Sequence, residues 1–70
     1  MKREIKRTSD KAGLVELIEK KLAELRNGYI EIDDLKVILP DSFEVELEYE
    51  EEHKDDKTKY KVEIEIEWTK

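Results

Sequence analysis

The clearest polarity pattern in the chain lies between Phe43 and Trp68, where two segments alternate apolar and acidic residues. One reads Phe43-Glu44-Val45-Glu46-Leu47-Glu48-Tyr49-Glu50 and the other Tyr60-Lys61-Val62-Glu63-Ile64-Glu65-Ile66-Glu67-Trp68. Successive side chains of a strand point to opposite faces, so a period of two predicts half-buried antiparallel strands, each with one apolar and one charged side. The short polar link Lys54-Asp55-Asp56-Lys57 joins them as a hairpin. Centring its turn on Asp55-Asp56 pairs Phe43 with Trp68, Val45 with Ile66, Leu47 with Ile64 and Tyr49 with Val62. The same register sets Glu44 opposite Glu67, Glu46 opposite Glu65 and Glu48 opposite Glu63, an unfavourable set of like-charge pairs relieved only by Glu50 and Lys61.

Upstream the period changes. Leu14, Val15, Leu17, Ile18, Leu22 and Leu25 return at helical spacing, with Glu16, Lys20 and Glu24 opposite, which predicts a helix over residues 10 to 26. Thr8-Ser9-Asp10 is a start signal with the N-cap at Ser9, within a residue either way. Gly13 marks either a close approach to a strand or a glycine tolerated in the first turn. Asn27-Gly28 stops the helix, glycine suiting the left-handed position beyond the last turn. Two short strands follow, residues 29 to 32 and 35 to 39, about a turn at Asp33-Asp34. That turn pairs Ile32 with Leu35, Ile30 with Val37, Glu31 with Lys36 and Tyr29 with Ile38, and puts Ile30, Ile32, Leu35, Val37 and Leu39 on the core side. Pro40-Asp41-Ser42 breaks the chain before the long hairpin. Residues 2 to 7, with Ile5 inward among basic neighbours, fit a short edge strand.

The elements predict an α+β fold in the order β-α-β-β-β-β: one helix packed on one face of a four- to five-stranded, mainly antiparallel sheet, forming a single domain over residues 1–70. Numbering the strands along the chain, the expected sheet order is 2-3-4-5-1, with the N-terminal strand beside the last and Lys2 and Lys6 near Glu63, Glu65 and Glu67. The alternative order is 1-2-3-4-5, with a parallel pair joined through the helix by a right-handed crossover.

Seventy residues hold one small core and no second domain. The absence of cysteine removes disulfides and thiolate metal sites. No apolar run approaches a membrane span, and the start Met1-Lys2-Arg3-Glu4 lacks the apolar stretch of a signal peptide, so the cytoplasm is the expected compartment. A net charge of −6 disfavours direct binding to nucleic acid phosphates and favours solubility or a basic partner. The abundance of Glu and Lys, with no Gln and one Asn, resembles thermophile composition.

Candidate chemistry is sparse. The chain has a single histidine, His53, read as a solvated loop residue near the hairpin tip, while Ser9 and Ser42 serve cap and turn. Gly13 and Gly28 are isolated and make no phosphate loop. Asp33-Asp34 and Asp55-Asp56 fit turns better than a calcium loop, which needs more oxygen ligands at set spacing. Tyr29, Phe43, Tyr49 and Tyr60 lack the basic surroundings of a base-stacking platform. Trp68 shares the parity of Ile66, Ile64 and Val62, which reads as core cover, with an interface anchor as the alternative. No catalytic, cofactor-binding or metal residue is therefore expected. The residues left to explain are Glu44, Glu46, Glu48, Glu63, Glu65 and Glu67 on one face. They are either splayed into water with cations from neighbouring strands, or an electronegative surface for a basic protein. The expected role is a small noncatalytic interaction or structural module. The alternative is a regulator or nucleic-acid mimic that binds a basic partner, and self-association also stands open; no membrane is expected as partner.

The succession of a capped helix from Leu14 to Leu25, Asn27-Gly28, Tyr29-Ile30-Glu31-Ile32, Leu39-Pro40, Phe43-Glu44-Val45-Glu46-Leu47 and a closing Val62-Glu63-Ile64-Glu65-Ile66-Glu67-Trp68 resembles the amphi-Trp domain of archaea and bacteria. The resemblance spans nearly the whole chain and rests on patterns of polarity. It implies the α+β architecture and brings no assigned activity and no functional residues.

Overall fold

A computed structural model describes residues 1–70 and orders them as α1 (Lys11–Arg26), β1 (Tyr29–Ile32), β2 (Leu35–Ile38), β3 (Glu44–Lys54) and β4 (Lys57–Glu67). These elements fall into two units, Met1–Pro40 and Asp41–Lys70.

In the first unit the helix starts at Lys11, with its cap one residue beyond Ser9 and inside the expected margin. Asp10 is the N-cap, its carboxylate accepting from the Gly13 N–H at 2.8 Å, while the Ser9 hydroxyl donates to the Asp10 carbonyl at 3.2 Å. A charged acceptor at the positive end of the helix suits that place. A Cβ at Gly13 would run into the Ser9 hydroxyl, so the glycine accommodates the cap itself and no strand. At the other end the Asn27 and Gly28 N–H groups donate to the Glu24 and Leu25 carbonyls, both at 2.9 Å, and Gly28 takes φ +84° as a helix stop requires.

β1 and β2 pair in the expected register, Tyr29 with Ile38, Ile30 with Val37, Glu31 with Lys36 and Ile32 with Leu35. Asp33, first residue of the turn, has φ +55°, the sign that two-residue hairpin turns need at this position. Ile30, Ile32, Leu35, Val37 and Leu39 are all half-buried, while Glu31, Lys36 and Ile38 are exposed. The Lys36 ammonium lies 4.2 Å from the centre of the Tyr29 ring. α1 packs on β1, and the Leu39 N–H closes the unit onto the Gly28 carbonyl at 3.0 Å.

Residues 2 to 7 form no strand. One apolar side chain, Ile5, gives an extended segment too little to bury against the entropy of ordering it. Its neighbour Arg3 instead donates from Nε to Asp34 in the β1–β2 turn at 3.1 Å, and Lys2 pairs with Glu4 at 3.5 Å.

The second unit is the long hairpin. β3 and β4 pair in the expected register through eleven residue pairs from Glu44↔Glu67 to Lys54↔Lys57, about a turn in which Asp55 has φ +56°. The ladder runs farther toward the tip than the alternating stretch does, and it stops short of Phe43 and Trp68 at its base. The fold is therefore α+β, but in place of a continuous four- to five-stranded sheet there are two antiparallel sheets of two strands each. Neither the 2-3-4-5-1 nor the 1-2-3-4-5 order forms. The N-terminal strand that both require is absent, and Pro40, which has no N–H to give a ladder, follows β2.

Candidate functional site

The hairpin carries the chemistry, and its two faces differ. On one face the cross-strand pairs Glu44↔Glu67, Glu46↔Glu65 and Glu48↔Glu63 bring all six candidate glutamates together. Directly opposed side chains on such a ladder sit about 5 Å apart at Cβ, a spacing at which like charges repel. Glu44, Glu46, Glu65 and Glu67 line a shallow open depression there. Crowding raises the carboxyl pKa of Glu65, first through Glu46 across the ladder and then through Glu67 beside it. Toward the tip the same face is balanced, with Glu50 opposite Lys61 and Glu52 opposite Lys59. The Lys61 ammonium reaches back along its own strand to Glu63 at 2.6 Å, and this contact raises the Lys61 pKa. Relief therefore comes from two lysines rather than from Lys61 alone, and it ends at Glu63.

The other face is apolar at its base and polar at its tip. Val45, Leu47, Tyr49, Val62 and Ile64 are between 61% and 77% exposed, because a two-stranded sheet has no second layer within its own unit. Beyond them, on the same parity, runs a hydrogen-bonded row that the sequence reading missed. The Tyr49 hydroxyl donates to Glu51 at 2.8 Å, the Glu51 carboxylate meets His53 Nε2 at 3.2 Å, and His53 Nδ1 lies 3.0 Å from the Thr58 hydroxyl. A carboxylate only accepts, so Nε2 carries a proton, and a neutral His53 takes the Thr58 O–H on Nδ1. The contact with Glu51 raises the Tyr49 pKa, since a charged acceptor favours the protonated phenol. His53 thus belongs to β3 rather than to a loop, though its side chain is 70% exposed. Counting parity outward from Asp55-Asp56 sets His53 opposite Thr58, and that signal was present in the sequence.

The row joins hydroxyl, imidazole and carboxylate in the order used for nucleophilic catalysis, but on a sheet surface where the imidazole stands in solvent, and the depression that Thr58 helps to line at the hairpin tip is itself open. No group of three or more His, Asp or Glu side chains is placed to hold a metal ion. Asp33 and Asp55 occupy turn positions, and Asp34 is taken by Arg3.

One site outside the hairpin was also missed. Glu24, assigned by helical spacing to the side opposite the apolar stripe, is the buried residue of the first unit at 6% exposure. Its carboxylate accepts from the Glu31 N–H at 2.9 Å and from the Lys21 ammonium at 3.0 Å, and Lys21 also donates to the Glu31 carbonyl. The Glu31 amide holds the Glu24 pKa below the ordinary glutamate value; burial opposes this and Lys21 adds to it. Leu17 and Glu24 are seven residues apart and so lie within about 20° of one another on the helix, which places Glu24 at the margin of the apolar stripe. The group is a structural pin between α1 and β1.

No helix is long and apolar enough to cross a membrane. No curated protein and no solved structure matches the chain. A family model does, the amphi-Trp domain, over residues 2–70. With the helix, the glycine stop and both alternating strands inside that match, the chain belongs to the amphi-Trp domain family.

Proposed function

We propose that the protein is a noncatalytic interaction module whose working element is the β3–β4 hairpin. The observation that carries this reading is the pairing of an exposed apolar face with an acidic one on strands of eleven residues each. A two-stranded hairpin is marginally stable by itself, so contacts made by its faces are where further stabilisation is to be had. The open setting of the Tyr49–Glu51–His53–Thr58 row supports a structural role for it, tying the tip together, over turnover. The cytoplasm suits a chain that uses no cysteine.

A second reading has its own support. The raised pKa of Glu65 reports electrostatic crowding that a cationic partner relieves, as expected of a regulator or nucleic-acid mimic that occupies a basic protein. Affinity capture from the source cells at low and high salt, with wild type beside a Glu46→Gln, Glu65→Gln variant, tests both. A stoichiometric partner lost at high salt and with the variant supports the acidic face. One retained under both conditions supports apolar contacts, and absence of any partner contradicts the interaction reading.

A further inference from the structure

β3 uses one edge to pair with β4, and its other edge has no ladder partner. None of the turn, loop or cap backbone hydrogen bonds reaches it. Every second residue along this strand of eleven thus points a free N–H and C=O outward, the arrangement onto which an extended segment adds as a further strand. The side chains beside this edge specify what such a segment must look like. On one face Glu44, Glu46, Glu48, Glu50 and Glu52 follow each other without a cation, and on the other stand Val45, Leu47 and Tyr49. A strand laid alongside in register is therefore favoured when it alternates basic with apolar residues.

The free edge of β4 is less selective, since Lys57, Lys59 and Lys61 precede Glu63, Glu65 and Glu67 on its charged face. A second copy matches the β3 edge only over the short Lys57–Lys61 stretch of its β4. Antiparallel β3 against β3 sets glutamate across from glutamate, and the Glu63–Glu67 stretch of a second β4 brings more acid.

We infer that the free edge of β3 takes up an extended segment of a partner protein in which basic and apolar residues alternate, adding it as a third strand. The inference rests on the interaction-module reading and names its partner class. Main-chain hydrogen bonds supply pairing that is indifferent to sequence, the glutamate row selects the basic side, and Val45, Leu47 and Tyr49 cover the apolar side. Association through the acidic face alone would need no particular order of residues and no peptide N–H groups.

Three fluorescently labelled eight-residue peptides distinguish these cases by anisotropy against the full chain at low salt. One alternates lysine and valine, one has the same composition with the lysines and valines in two blocks, and one alternates but is N-methylated at every amide. The inference predicts that the first binds at least about tenfold more tightly than the other two. It also predicts slowed amide exchange at alternate residues of β3 on binding. Equal affinity for all three overturns edge pairing while leaving a basic partner for the acidic face intact. Failure of all three overturns both readings, and slowed exchange on β4 in place of β3 overturns the assignment of the edge.

Discussion

The two units handle a central glutamate in opposite ways. In the first, Glu24 is withdrawn from water and surrounded by donors, the Glu31 amide and Lys21, which stabilise its charge and tie helix to strand. In the second, Glu65 lies on an open ladder among Glu46, Glu67 and Glu63, and its neighbours disfavour its charge. The first arrangement consumes a charge in holding the unit together. The second leaves charge standing on the surface, available to something else. The residue type is the same, so the difference comes from what the backbone places around it: an N–H in one case, further carboxylates in the other.

The contrast gives each unit its own response to acid. Glu24 has a folded pKa below the unfolded value of about 4.3, so its contribution is present above that value and is lost as pH falls through the folded one. Glu65 has a folded pKa above it, so its contribution is present below about 4.3 and is lost as pH rises through the folded value. Helical circular dichroism follows the first unit, which contains the only helix, and emission from Trp68 follows the second.

The largest effect is expected at the pin. Glu24→Ala removes the acceptor of the Glu31 N–H and leaves Lys21 without its carboxylate, and the helical melting temperature should fall on the order of 10 °C. Glu24→Gln keeps an acceptor but loses the charge. Its helical melting should no longer decline in acid as the wild type's does. A Glu24→Ala variant that melts with the wild type would remove the pin from the account.

A smaller effect of opposite sign is expected on the ladder. Glu46→Gln with Glu65→Gln removes the pair that contributes most to the crowding of Glu65. At neutral pH and low salt the Trp68-monitored transition should rise by roughly 2–4 °C, and the gain should shrink with added salt as screening takes over. No gain at low salt would mean that Lys59 and Lys61 already neutralise the face, and the basic-partner reading would lose its support.

How much of this was legible in the sequence depended on periodicity. Both hairpin registers were readable residue by residue, since two-residue turns at Asp33-Asp34 and Asp55-Asp56 leave one pairing that keeps the apolar sides together. The half-burial of Ile30, Ile32, Leu35, Val37 and Leu39 followed from the same alternation. What failed lay where periodicity says nothing. Residues 2 to 7 are charged but for one apolar side chain, and pattern cannot weigh Arg3 bonding Asp34 against strand pairing. The cap was legible to within one residue: Ser9 and Asp10 are both good caps, and the choice fell to the carboxylate. Glu24 was read as a solvent-facing residue because acids usually are, although its position seven residues after Leu17 placed it near the helix–strand contact. His53 and Glu51 were hidden by the run Glu50-Glu51-Glu52, which blurs the parity that puts them on the apolar side.

The most direct test of the contrast is a carbon-detected NMR titration of the Glu24 and Glu65 side-chain carboxyls in the intact chain. The account predicts a Glu24 midpoint below the ordinary glutamate value of about 4.3 and a Glu65 midpoint above it. Midpoints that coincide, or that fall in the reverse order, would contradict it.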